Sequence, residues 1–178
     1  KGNSLEETMH KQGKFIKKRD NGGPIRGVEV LAKAYTQNDG RYEGDPEVLD
    51  RIAVALDFNR RAQGKNGGFV DVHGGWVGGP DRGKGEGVLE GRMHRAAAIA
   101  VRLTYEDLKQ EGLLDERVDD DADPETPPVP RRKAIRDLLH NSLTYILSKR
   151  GHAPNQELMN VNAIAPLHKA LQLLGGYE

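Results

Sequence analysis

Residues 150–156, RGHAPNQ, bring His152, Asn155 and Gln156 within reach of one another, and Pro154 marks a helix start among them. Amide side chains beside first-turn N–H groups, which have no intrahelical acceptor, suit an anion such as a carboxylate. An ordinary alternative stands beside this one, because Asn is a favoured N-cap and Asn155 or Gln156 would cap a helix beginning after Pro154. A second segment, residues 60–82, RRAQGKNGGFVDVHGGWVGGPDR, holds the only Trp of the chain, Trp76, between glycine pairs. With no neighbouring bulk to bury it, Trp76 is either an exposed stacking platform or a loop Trp folded back onto the rest of the chain. His73, Arg82, His94 and Arg95 are of types that bind carboxylate or sulfate, although each also serves as an ordinary surface or packing residue.

Other chemistries draw on the same region. Asp71, Asp81, Glu86 and Glu90 could supply the acid and base of a glycoside hydrolase, but their spacing selects no pair. Asp71 with His73, or the run DDDAD at residues 119–123, has ligand types for a divalent cation. The latter lacks the glycine and terminal Glu of an EF-hand loop and reads as a solvated turn. The chain has no Cys, which removes disulfides and thiolate metal sites. No metal and no cofactor is assigned.

Lys plus Arg and Asp plus Glu both number 27, so no net field draws the chain to nucleic acid or to an acidic membrane surface. The basic run KQGKFIKKR, residues 11–19, reads as a solvated helix end. No apolar run approaches the ~20 residues needed to span a bilayer, and no signal-peptide pattern opens the chain. The first residue is Lys, and Ser4 with Glu7 already has capping-box spacing, which reads as a processed or cut N-terminus.

The elements that must position these residues are helical. At 178 residues the chain is expected to be one all-α domain, residues 1–178. SLEETMHKQGKFI opens the series. PIRGVEVLAKAY follows, with Ile25, Val28, Leu31, Ala32 and Tyr35 at helical spacing, and QNDG stops it. Asp45 as N-cap and Pro46 at the first position start the clearest helix, with Val48, Leu49, Ile52, Ala55, Leu56 and Asn59 along a face. After a glycine-rich loop to about Gly87, VLEGRMHRAAAIAVRLTYEDLKQ repeats apolar residues at Leu89, Met93, Ala97, Ala100, Leu103 and Leu108. An acidic, proline-rich connection, DDDADPETPPVP, precedes RRKAIRDLLHNSLTYILSK, which carries Ile135, Leu138, Leu139, Leu143, Ile146 and Leu147. A last helix follows RGHAPNQ, with Pro166 interrupting or kinking it. The count is about six helices in three consecutive pairs, with no strand signal of comparable strength, which suggests a bundle, a solenoid or a toroid of helical hairpins.

Three stretches carry a family resemblance. LAKAYTQNDGRYEGDPEVLDRIAVALDFNRRAQ, residues 31–63, resembles the early helical hairpin of the α/α-toroid polysaccharide lyases, the hyaluronate, chondroitin and xanthan lyase group. NGGFVDVHGGWVGGPDR, residues 66–82, and RGHAPNQE, residues 150–157, are similar to loops in secreted bacterial relatives of that group. The resemblance spans roughly residues 24–175 and implies helical hairpins forming an N-terminal portion of an (α/α) toroid. Six helices make about half of such a toroid, and the apolar edge left over implies, as partner, the remainder of the same toroid or another chain.

The resemblance also implies a chemistry. A uronic-acid lyase neutralises a sugar carboxylate, removes the neighbouring proton and expels the oxygen one carbon further on. On that basis Asn155 is the first choice for the carboxylate clamp with Gln156 beside it, and the residues of the same loop offer His152 as a candidate base. Trp76 becomes a platform for a sugar ring, with Phe69 a lesser candidate, while Arg82, His73, His94 and Arg95 line the groove. The family's base His and acid Tyr lie downstream of the clamp Asn; the only Tyr after Asn155 here is Tyr177, so no catalytic Tyr is assigned in this chain and the remainder of the toroid is expected to supply it. The implied partner is an acidic polysaccharide, and the implied location is secreted. A toroid glycoside hydrolase and a non-catalytic carbohydrate-binding or scaffold toroid remain as other readings.

Overall fold

A computed structural model describes residues 22–64, 67–69, 88–119, 126–148 and 154–175. The described part is all-α apart from one minimal strand pair. Its helices are α1 (Gly22–Thr36), α2 (Pro46–Ala62), α3 (Val88–Gln110), α4 (Arg131–Ser148) and α5 (Pro154–Leu173). The helix expected at residues 4–16 lies outside the described residues.

Local chemistry sets the helix limits. Asp45 takes an extended backbone and its carboxylate accepts from the Glu47 N–H at 2.9 Å, while Pro46 fills the first helical position, where no N–H is needed. Pro166 lies inside α5, which continues through it to Leu173. The hydrogen bond it cannot donate would have gone to the carbonyl of Asn162, and that residue is exposed. The strand pair was not legible in the sequence. β1 (Arg117–Val118) and β2 (Val129–Pro130) pair antiparallel, Val118 opposite Val129, at the two ends of the acidic connection. Two residues per strand are too few to show a period.

Cross-helix contacts fix the direction of every helix. Asn59 Nδ2, near the end of α2, donates to the carbonyl of Ile25 at the start of α1, so these two helices are antiparallel. Glu29 lies 3.6 Å from Arg95, and Asp107 is near enough to the Tyr35 hydroxyl to help raise its pKa, so α1 and α3 run the same way. Asp57 meets Arg131 and Gln63 meets Ser142, so α2 and α4 run together in the opposite sense. A Cβ on Gly91 would stand 2.7 Å from the carbonyl oxygen of Met159, which brings the opening turns of α3 and α5 together.

These contacts build two layers. In one, α3 lies between α1 and α5; in the other, α2 packs beside α4; and α3 touches all four of the other helices. That central position explains why α3 buries more than one stripe. Met93, Ala97, Ala100, Val101, Thr104 and Leu108 are buried, and so are Ala96, Ala98 and Tyr105. Alanines keep neighbouring axes close, because the interaxial distance follows the side chains at the contact. Leu103, expected on the buried stripe, is exposed, as is Leu147 on α4. Ile25, Val28, Ile52, Leu56, Leu138, Leu139, Leu167 and Leu171 complete one continuous core. Each large side chain of this kind contributes roughly 1.5–3 kcal/mol on burial.

One charged pair crosses that core. Arg131 opens α4, where a cation opposes the helix dipole, yet it is only 5% exposed. Its Nε donates to both carboxylate oxygens of Asp57 at 2.9 and 3.1 Å, and its Nη1 donates to the Leu113 carbonyl at 2.6 Å and to Glu116 at 2.7 Å. Burial pushes the Asp57 carboxyl above its ordinary pKa, against the pull of Arg131. Burial opposes the Arg131 charge as well, but there Asp57 and Glu116 outweigh it and hold the guanidinium above its ordinary value. The pair ties α2 to the start of α4 and to the turn after α3.

Candidate functional site

The helix directions gather the starts of α1, α3 and α5 and the ends of α2 and α4 at one end of the molecule. The glycine-rich segment leaves the described fold at Phe69 and rejoins it at Val88, the first residue of α3. The connection holding His152 joins the end of α4 to the start of α5 at the same end. Two stretches that the sequence singled out for chemistry, far apart along the chain, therefore attach to one face of the fold.

The exit of the chain from α2 is built in detail. The amide of Gly64 donates to the carbonyl of Gly68 at 2.7 Å, that of Gly67 donates to Gly64 at 2.9 Å, and Gln63 bridges antiparallel to Phe69. Gly67 has φ +86, and a Cβ there would stand 2.4 Å from the Asn141 carbonyl oxygen of α4. A side chain is excluded on both counts, conformational and steric. The turn carries Phe69 into the core, 1% exposed, where its ring centroid lies 4.9 Å from that of His94. His94 in turn lies 5.5 Å from Tyr145 of α4.

A polar network runs beneath this turn. Gln63 Nε2 lies 2.9 Å from the Gly67 carbonyl, 3.0 Å from the Leu138 carbonyl and 3.0 Å from Ser142 Oγ. Two of these acceptors are carbonyl oxygens, which can only accept, so the amide cannot be turned over without setting oxygen against oxygen. In this orientation Gln63 Oε1 is buried with no hydrogen-bond partner among the described residues. Ser142 Oγ also lies 2.8 Å from His94 Nδ1.

The residues expected to form the site divide into three groups. Asn155 and Gln156 fall in the first turn of α5, directly after Pro154 as its first residue. Their backbone N–H groups are among those without an intrahelical acceptor, and both residues lie inside the helix rather than at its N-cap. His152, His73, Trp76 and Arg82 lie outside the described residues.

His94 and Arg95 are described, and the structure separates them. His94 is fully buried between Phe69, Ser142 and Tyr145, so its expected place on a groove wall is corrected to the core. Its neighbours explain the difference: α3 is packed on several sides, and a polar ring there is accommodated by a hydroxyl and two aromatic rings. Phe69, the lesser platform candidate, is likewise a core residue. Arg95 is partly exposed beside Glu29, whose carboxylate also receives Lys33 Nζ at 2.6 Å.

Gln63, Ser142 and Tyr145 were not singled out by sequence reasoning. Gln63 and Ser142 lie 79 residues apart, and no local sequence pattern links them. Among the described residues no group of three or more His, Asp or Glu side chains is arranged to hold a metal ion, and no helix is long and apolar enough to cross a membrane. No protein-family model, no curated protein and no solved structure matches this chain.

Proposed function

We propose that this chain is part of an (α/α) toroid of a secreted polysaccharide-lyase-like protein, which binds a uronic-acid-containing polysaccharide and cleaves it by β-elimination. The observation that carries the reading is the convergence at one end of the fold. The first turn of α5, with Asn155 and Gln156, lies at the end where the segment bearing His73, Trp76 and Arg82 departs and returns. The alternating two-layer order of the helices also suits an arc of hairpins from a toroid.

In this mechanism the amide groups of Asn155 and Gln156, with the N–H groups of the α5 start, neutralise the sugar carboxylate and stabilise charge that builds up on it. His152 takes the proton next to the carboxylate. The C–H electrons form the new carbon–carbon double bond, the C–O bond one carbon further on breaks, and the leaving oxygen takes its proton from a Tyr in the remainder of the toroid. Trp76 stacks on a sugar ring, while Arg82, His73 and the partly exposed Arg95 contact acidic groups. His94 has no part in substrate contact.

A second reading, a non-catalytic carbohydrate-binding or scaffold toroid, is favoured by one observation: His94 and Tyr145, residues of types that transfer protons, are both in the core. Asn155→Ala separates the two. A lyase loses turnover while keeping much of its polymer binding; unchanged turnover would remove Asn155 from the clamp role, and binding without turnover in the parent protein would favour the scaffold.

A further inference from the structure

We propose that Gln63, Ser142 and His94 form a polar latch that locks the turn at residues 63–69 onto α4, so that Gln63 acts as a positioning residue for the exit of the chain from α2. The inference goes beyond the proposed activity and stands whether or not a polysaccharide is bound at this end.

Three independent features support it. The Gln63 amide reaches a carbonyl within its own turn, Gly67, and a carbonyl and a hydroxyl of α4, Leu138 and Ser142, and so ties two elements that are 75 and 79 residues apart at its two α4 contacts. Ser142 passes the connection to α3 through His94 Nδ1. A Cβ on Gly67 would stand 2.4 Å from the Asn141 carbonyl oxygen, so the turn packs against α4 with no room for a side chain between them. The chemistry at position 63 is directional. Met has a similar volume but donates nothing, and an ionised Glu sets two acceptor oxygens against the Gly67 and Leu138 carbonyls. A protonated Glu recovers one donor.

Hydrogen exchange of the Gly64 and Gly67 amides, both bonded within the turn, reads the latch directly. Wild type, Gln63→Met, Gln63→Glu, Ser142→Ala and the control Ile135→Val would be compared in the full chain. Ile135 is buried in α4, and its loss of one methylene weakens the core without removing a polar contact. The latch predicts exchange of these two amides at least about tenfold faster in Gln63→Met and in Gln63→Glu at neutral pH, because a net hydrogen bond is worth roughly a factor of two to ten and more than one is lost. Ser142→Ala gives a smaller increase in the same amides. Relative to wild type at each pH, Gln63→Glu recovers protection as its carboxyl protonates, and Ile135→Val shows no excess at Gly64 and Gly67 over the rest of the chain. Wild-type protection in Gln63→Met would overturn the latch, and so would acceleration spread evenly along the chain as in Ile135→Val. Failure of Gln63→Glu to recover on acidification would assign the effect to packing and overturn it as well.

Discussion

Removing one partner of the Asp57–Arg131 pair exposes what the pair does for the fold. In Asp57→Ala the guanidinium stays buried, and breaking a buried ion pair from one side costs about 3–5 kcal/mol. Arg131 keeps the Leu113 carbonyl and Glu116, so the expected loss sits near the lower bound, about 3 kcal/mol. Arg131→Ala removes those contacts too and leaves Asp57 in the core, so about 4–5 kcal/mol is expected. Replacing both residues by apolar ones, Asp57→Leu with Arg131→Met, strands no charge and is expected to cost far less than the sum of the single changes. Urea denaturation followed by circular dichroism at neutral pH measures all four proteins. A double variant as unstable as the sum of Asp57→Ala and Arg131→Ala would refute the reasoning, since the two charges would then not depend on each other.

Three further outcomes follow from the same geometry. Asp57 has its folded pKa raised by burial, so its contribution to stability is complete below the unfolded value and fades as pH rises through the folded value. Stability measured across the acid range should therefore favour wild type over Asp57→Asn increasingly as pH falls through that window; the opposite trend would show a depressed carboxyl. Gly67→Ala, with its Cβ driven against the Asn141 carbonyl at positive φ, should lower stability by about 2 kcal/mol or more in thermal melts, beyond the range usual for a surface change. Gly91→Ala places a Cβ 2.7 Å from the Met159 carbonyl and 2.9 Å from Asn160 Oδ1, and the forced separation of α3 from α5 should cost roughly 1–3 kcal/mol in the same assay.

The helices were legible because their signals are local. Asp45 and Pro46 announce α2, and Ile25, Val28, Ala32 and Tyr35 repeat at one spacing and are all buried. A single apolar stripe was a poor guide to α3, which touches four helices and buries His94 while leaving Leu103 exposed. The Gln63–Ser142–His94 network was invisible because it joins residues that only the packing of α2 against α3 and α4 brings together. Asn155 and Gln156 were legible as first-turn residues because Pro154 fixes the helix start. What gathers them at the end where the glycine-rich segment attaches is the direction of the helices, which long-range contacts set.

The most direct test of the proposed chemistry is ultraviolet absorbance during incubation of the protein with hyaluronan, chondroitin and other uronic-acid polymers, since β-elimination creates a double bond conjugated to the carboxylate. The account predicts a rise in absorbance with at least one polymer, retained in the presence of a chelator and lost in Asn155→Ala while the variant still binds that polymer. Binding with no rise in absorbance, or a rise that Asn155→Ala leaves unchanged, would contradict it.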